Sequence, residues 1–266
     1  MTALQKVIKY LAVAFAVFLI VAIISGAISA IGLFGGFFDN DAVEDNLKTY
    51  EISANISGLE IEVGAADLVI KQGDGFSVES NLKRLSVEEK NGVLTVKEKN
   101  RFGNVYNGAV LTVVIPADTV FDRARIVTGA GRLTADDLSA YFLSLVLGAG
   151  EVNINSLNAF TEADIDGGAG KLTIANGTLN NLELDMGVGQ LNLTASILGE
   201  SDLDLGVGET NLTLIGDKND YGIDLEKGIG NIKVDGKAVS DFDTSGKNEV
   251  DISCGIGSLN MEFKAE

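Results

Sequence analysis

A glycine pair that recurs at nearly constant spacing restricts the fold of this chain more than any other feature. Gly-x-Gly triplets begin at Gly129, Gly148, Gly168, Gly187, Gly206, Gly228 and Gly255, at intervals of 19, 20, 19, 19, 22 and 27 residues. A degenerate copy, Gly64-Ala65-Ala66, lies upstream. The residues around each triplet alternate. In Leu182–Leu193, apolar side chains fall at Leu182, Leu184, Met186 and Val188, then at Leu191 and Leu193 with the parity shifted by one. Alternation of period two is the signature of a strand. A parity slip at glycine marks a corner or bulge, where the backbone needs angles closed to other residues.

The other copies keep the same register. Three residues before the first glycine stand Ile126, Leu145, Ile165, Leu184, Leu203, Leu225 and Ile252. Four residues after it stand Leu133, Val152, Leu172, Leu191, Thr210, Ile232 and Leu259. Each repeat therefore reads as strand, glycine corner, strand, turn. A unit of ~20 residues cannot bury its apolar side alone, and stacking equivalent units buries it continuously. The expectation is an all-β chain, a parallel β-helix or β-solenoid with ~20-residue coils, rising about 4.8 Å per coil. Seven or eight coils give a rod of roughly 35 Å. Leucine-rich repeats share this period range, but no 3.6-residue periodicity follows residue 50, and so many glycines disfavour helix.

Residues 117–266 carry the regular repeats. Residues 51–116 read as an irregular β region capping the solenoid, since an uncovered end exposes unpaired backbone. Within it, Asn91-Gly92 between Val87 and Val96 reads as a hairpin turn. Residues 39–50 read as an acidic linker. Before them, Tyr10–Phe38 is a 29-residue run without charge. As a helix it would span about 43 Å, enough to cross a bilayer core of ~30 Å with tilt. Lys6 and Lys9 precede the run, and Asp39, Asp41, Glu44 and Asp45 follow it. This asymmetry predicts a cytoplasmic tail (1–9), a transmembrane helix (10–38) and an extracytoplasmic remainder. Ala27-Ile28-Ser29 offers a small-x-small site for a signal peptidase, but the apolar run continues nine residues further, which favours an uncleaved anchor.

Composition removes several chemistries. The chain of 266 residues has no His, no Trp and one Cys, and its net charge is −18. Without His there is no Ser-His-Asp triad and no ordinary catalytic zinc site. One Cys makes no internal disulfide. The acidic balance opposes nucleic-acid binding.

These residues together resemble a known family. A short basic tail and apolar run, the Leu59-Glu-Ile-Glu-Val63 stretch, Leu111-Thr-Val-Val-Ile-Pro116 and the serial Gly-x-Gly-x-Leu units look like the bacterial β-strand-repeat putative-adhesin family, which includes LiaG-like cell-envelope proteins. The resemblance covers roughly residues 50–266. It implies a right-handed β-helix and an envelope location, and it transfers no catalytic residue.

Several residue sets bear on possible chemistry. A dinucleotide loop needs a third glycine three residues after the second, and Thr134, Asn153, Thr173, Asn192, Asn211, Lys233 and Asn260 stand there instead. Asp166-Gly-Gly-Ala-Gly170 lacks the aspartate of the calcium-binding nonapeptide, since Leu172 occupies that place. The acidic columns carry more information. Positions four and two before each triplet read Asp164 and Asp166, Glu183 and Asp185, Asp202 and Asp204, Asp224 and Glu226, then Asp251. Stacked coils would align them into a carboxylate ladder, with about 0.9 kcal/mol of repulsion per neighbouring pair in water. Core burial at ~1.5–3 kcal/mol per large apolar side chain outweighs this. Asp164, Asp166, Glu183, Asp185, Asp202 and Asp204 are the candidate ligands for Ca²⁺ or Mg²⁺, or for a basic partner; a plain solvated face is the alternative.

A polar column of Thr134, Asn153, Thr173, Asn192, Asn211 and Asn260 reads as a hydrogen-bonded ladder. It lacks aromatic platforms for sugar. Cys254 aligns with mostly apolar residues and reads as a structural thiol, and Lys227 in the same column reads as a local irregularity. The one long insertion lies around Gly236–Asn248. With few other long loops, the chain is expected to be no enzyme and to need no cofactor. The expected role is a non-catalytic, membrane-anchored, adhesin-like binding or scaffold module of the cell envelope, meeting an envelope protein or cell-wall ligand. The alternatives are an accessory of envelope-stress signalling acting through membrane partners, and polysaccharide processing.

Overall fold

A computed structural model describes residues 43–53, 55–99 and 108–265. The expected tail and transmembrane helix lie outside the described residues, and among those described no helix is long and apolar enough to cross a membrane. All described residues belong to one unit, Asn40–Glu266.

The described chain is nearly all strand. In order it runs β1 (Val43–Glu51), β2 (Gly58–Gly73), β3 (Ser77–Leu82), β4 (Leu85–Lys90), β5 (Val93–Glu98), β6 (Val110–Pro116) and then β7 (Val120–Ile174), which passes through several levels of the stack. It continues with β8 (Gly177–Asn180), β9 (Leu182–Leu198), β10 (Glu200–Ile215), β11 (Tyr221–Glu226), β12 (Ile229–Val234), β13 (Lys237–Val239), β14 (Phe242–Asp243) and β15 (Asn248–Lys264). A 3₁₀ turn at Lys218–Asp220 precedes β11.

Equivalent residues of successive coils pair in parallel and in register. Leu184 pairs with Ile165 on one side and Leu203 on the other, and Leu191 with Leu172 and Thr210. The runs before and after the corner contribute to one hydrophobic core, from Ile56 to Met261. Ile126, Leu145, Ile165, Leu184 and Leu203 are all buried in it, as the alternation requires.

The corners show why glycine recurs. Gly189 has φ +143°, and a Cβ built there would overlap the carbonyl oxygen of Gly170, the equivalent residue one coil earlier. The first glycine of the triplet, Gly187, meets Gly168 in the same way. Backbones thus stack directly on backbones, which any side chain would prevent. The clash always points toward the N-terminal side of the stack. Gly131 points at Ala66, whereas Ala66 has no glycine corner of a further coil on its own N-terminal side among the described residues. Alanine is tolerated in that degenerate copy for this reason.

Regular coiling begins earlier than residue 117. Strand β2 pairs in parallel with Arg123–Ala135 of β7 on one side. On its other side, its first half pairs with β5 and its second half with β6. Residues 58–73 are therefore a full coil, and β5 with β6 form the outermost level. Where that level has no corner strand, Gly64 donates its N–H to the Glu98 carboxylate at 2.7 Å. The other Glu98 oxygen is buried without a hydrogen-bond partner among the described residues. The expected hairpin is present: β4 and β5 pair antiparallel about Asn91 (φ 52°) and Gly92 (φ 76°).

Two expectations are corrected. The acidic segment read as a linker over 39–50 is, from Val43, strand β1, which pairs antiparallel with β3. Its side chains are almost all exposed, so it carries no alternation for sequence reading to detect; backbone pairing over an open edge holds it. The coils also do not stack in simple chain order. Strand β15 lies between β10 and the β11–β12 level. Gly257 stacks on Gly208, and Gly230 on Gly257. The intervals of 22 and 27 residues give the chain enough length to step out one level and return. The insertion around Gly236–Asn248 makes that return. It leaves β13 antiparallel on β12 and β14 antiparallel on β11 as a cap.

Candidate functional site: an acidic sheet face

The side chains between the buried ones in the run before each corner face outward, and strand register sets their neighbours. Asp164 pairs with Glu183, Glu183 with Asp202, Asp202 with Asp251, Asp251 with Asp224 and Asp224 with Asp243. A second column runs Asp166, Asp185, Asp204, Ser253 and Glu226. The inserted β15 changes both columns. It extends the first with Asp251 and interrupts the second with Ser253. Glu200 and Glu249, also paired, flank the columns on the turn side. All six carboxylates anticipated from sequence thus share one face. Asp164 is half-buried and the other five are exposed.

No Lys or Arg stands in these columns from Asp164 onward. Burial, then the charges of Asp166 and Glu162, raises the pKa of Asp164 above the usual carboxylate value, and Arg125 opposes the shift. Burial, then Asp204 and Asp166, raises that of Asp185. Earlier levels of the same columns are neutralised. Lys97 lies 2.9 Å from Glu60 and 3.7 Å from Glu62, and its pKa is raised chiefly by the Glu60 hydrogen bond. Arg125, in register with Glu60, donates to Ser144 Oγ at 2.9 Å. One sheet face thus passes from paired charge in the first coils to unpaired negative charge in the later ones.

The carboxylates align without converging. Among the described residues no three acidic, His or Cys side chains lie close enough together to hold a metal ion. Periodic spacing gives each carboxylate neighbours along the rod but no enclosed oxygen cage.

The polar column on the other run is a hydrogen-bonded ladder. Asn192 donates to Thr173 Oγ1 at 3.5 Å, Asn211 to Asn192 at 2.9 Å and Asn260 to Asn211 at 3.0 Å. Cys254 is half-buried at the core margin, where burial pushes its thiol pKa up. Lys227 is exposed at the break between β11 and β12.

Residues 56–261 match the Toastrack DUF4097 family. The chain belongs to this family. No curated protein matches it. Among solved structures, the Toastrack domain is similar to a putative cell adhesion protein from Clostridium sporogenes, at 15% identity and TM-score 0.37, covering 82% of this chain and 99% of the other. It is similar to a putative adhesin from Bacteroides fragilis at 12% identity and TM-score 0.49, with 82% and 98% covered. It is also similar to a putative lipid binding protein from Parabacteroides distasonis at 16% identity and TM-score 0.35, again with 82% and 98% covered.

Sequence reading missed one surface feature of the Toastrack domain. Tyr141, Phe142 and Phe160 are exposed in turns of β7; the Tyr141 and Phe160 rings are in contact, and the Arg123 guanidinium lies over Phe142. Two aromatic residues in succession between buried Ala140 and Leu143, followed one coil later by Phe160 beside buried Ala159, was the available signal.

Proposed function

We propose that this protein is a membrane-anchored, LiaG-like Toastrack protein of the bacterial cell envelope, acting as a non-catalytic, adhesin-like binding or scaffold module. In this reading residues 10–38 form its single transmembrane helix, the N-terminus is cytoplasmic and the β domain is extracytoplasmic. The supporting observation is the acidic face. It runs through the later coils and carries no cation in its columns. Its strands are hydrogen-bonded to neighbouring strands, parallel except for β14 on β11, so the backbone that carries the charges is in register before any partner arrives. A preorganised field of one sign steers and orients a partner of the opposite sign, and salt weakens that attraction. The occupant that fits is a basic surface of another envelope protein.

The test is affinity capture from membranes with the full chain, comparing wild type with a Glu183→Gln, Asp185→Asn, Asp202→Asn, Asp204→Asn variant. A defined partner held at low salt, released at high salt and lost in the variant supports the reading. Equal capture by both proteins removes the acidic face from the function. A captured membrane protein would favour the signalling-accessory form of the proposal, and a wall polymer the adhesin form. Protease access to the β domain in intact cells tests the orientation.

A further inference from the structure

We propose that the aromatic edge formed by Tyr141, Phe142 and Phe160 is a subsite for the sugar rings of a neutral glycan. This goes beyond the acidic-face reading and concerns a different part of the surface. Tyr141 is 50% exposed, Phe160 46% and Phe142 37%. None of the three belongs to the core cluster. The rings of Tyr141 and Phe160 lie 5.8 Å apart at an interplanar angle of 56°, and the Arg123 guanidinium sits 5.1 Å from the centre of the Phe142 ring. The coil turn places two outward residues between buried Ala140 and Leu143, as it does between Leu179 and Leu182, where Asn180 and Asn181 stand; here both are aromatic. About half of the surface of each ring stays in water, and that half adds nothing to folding stability.

The surroundings select the occupant. The exposed polar groups nearby are Arg123, over the Phe142 ring, with Asp122 next to it in the chain, and Thr161 and Glu162, which follow Phe160. Three half-exposed rings offer about 300 Å², far below the roughly 800 Å² per partner of a stable protein interface. A second copy or a protein partner would need a larger apolar area than these rings offer. Anionic lipid headgroups would meet Asp122 and Glu162 and be repelled. A neutral hexose or N-acetylhexosamine suits the edge. The C–H faces of its rings pack on the aromatics, and its hydroxyls pair with the guanidinium, the carboxylates and the threonine.

The experiment uses the full chain in detergent, with N-acetylglucosamine and glucose oligomers of about three units as probes. Saturation-transfer NMR should show transfer to the ring protons of at least one oligomer. A Tyr141→Ala, Phe160→Ala variant should weaken that binding at least about tenfold. Its melting midpoint should stay within a few degrees of wild type, because neither ring is in the core. Tyr141→Phe should retain binding, and so should the acidic-face variant. Absence of transfer with both oligomers overturns the proposal, as does equal binding by the alanine variant. Concentration-dependent dimerisation of wild type that is abolished in the alanine variant assigns the edge to a second copy and also overturns it.

Discussion

The middle of the stack and its two ends obey different rules. From β7 to β10 the coils follow chain order, corner glycine rests on corner glycine, and each strand has parallel neighbours on both sides. At each end the chain steps out to an outermost level and comes back. β2 is covered by β5 and β6, which come later in sequence, and β15 is covered by β11 and β12, which come earlier. Both outermost levels then carry antiparallel strands: β4 and β3 on one, β14 and β13 on the other. A parallel stack always leaves an open edge. This chain closes both edges with short antiparallel strands rather than with further coils.

Deletions should separate the two regions most sharply. Removing residues 248–265 withdraws a level from within the stack, together with Leu259 and Met261 of the core. The expected result is loss of the cooperative melting transition. Removing residues 43–51 uncovers the edge of β3 and withdraws only the partly buried Val43 and Tyr50 from the core, and should lower the midpoint by a few degrees. Equal effects on calorimetry would mean that β15 is no more interior than β1.

Glycine substitutions come next. Gly208 has φ +151° and faces the carbonyl of Gly189, so Gly208→Ala combines backbone strain with overlap and should cost about 3–5 kcal/mol in urea unfolding. Gly75, in a turn near the N-terminal end, has nothing within 4 Å of an added Cβ, and Gly75→Ala should cost less than about 1 kcal/mol. A smaller change is expected in the polar ladder. Asn211 has an amide partner on each side, and Asn211→Ala should cost about 1–2 kcal/mol. An unchanged unfolding free energy would reduce the ladder to surface decoration.

The smallest effect concerns acid. The folded pKa values of Asp164 and Asp185 are raised, so their stabilising contribution is complete below the ordinary carboxylate pKa and is lost as pH rises through the raised values. Asp235 opposes this. The Lys218 hydrogen bond lowers its pKa, so its contribution is present above the ordinary value and is lost as pH falls through the lowered one. As the pH falls from neutral toward the ordinary carboxylate pKa the first effect should dominate, because the lowered Asp235 remains ionised there. The midpoint should therefore rise slightly on mild acidification. An Asp164→Asn, Asp185→Asn variant should melt higher at neutral pH and show a flatter rise. A midpoint that falls over this range in the wild type would contradict the assignment.

How much was legible in the sequence follows from the same physics. Corner glycines, buried columns and the carboxylate and asparagine ladders could be read because local alternation and a fixed period both report them. Placing Asp251 between Asp202 and Asp224 could not, because spatial order depends on which level the chain returns to, and repeat spacing does not encode that. The lengthened intervals before Gly228 and Gly255 marked the irregularity without giving its direction. β1 was illegible because strand edges can pair through backbone alone. Tyr141, Phe142 and Phe160 stand in the coil turns, outside the alternating columns, so neither alternation nor the glycine period reports them.

Cysteine cross-linking tests the stacked, reordered coil arrangement most directly. In a Cys254→Ser background, residues 211 and 260 are paired one level apart, within the Cα separation a disulfide spans, whereas 211 and 233 are two levels apart. Oxidation should link an Asn211→Cys, Asn260→Cys variant within one chain and leave an Asn211→Cys, Lys233→Cys variant unlinked, as read by mass spectrometry. Linkage of 211 to 233 with none to 260 would show that the coils stack in chain order and contradict the fold described above.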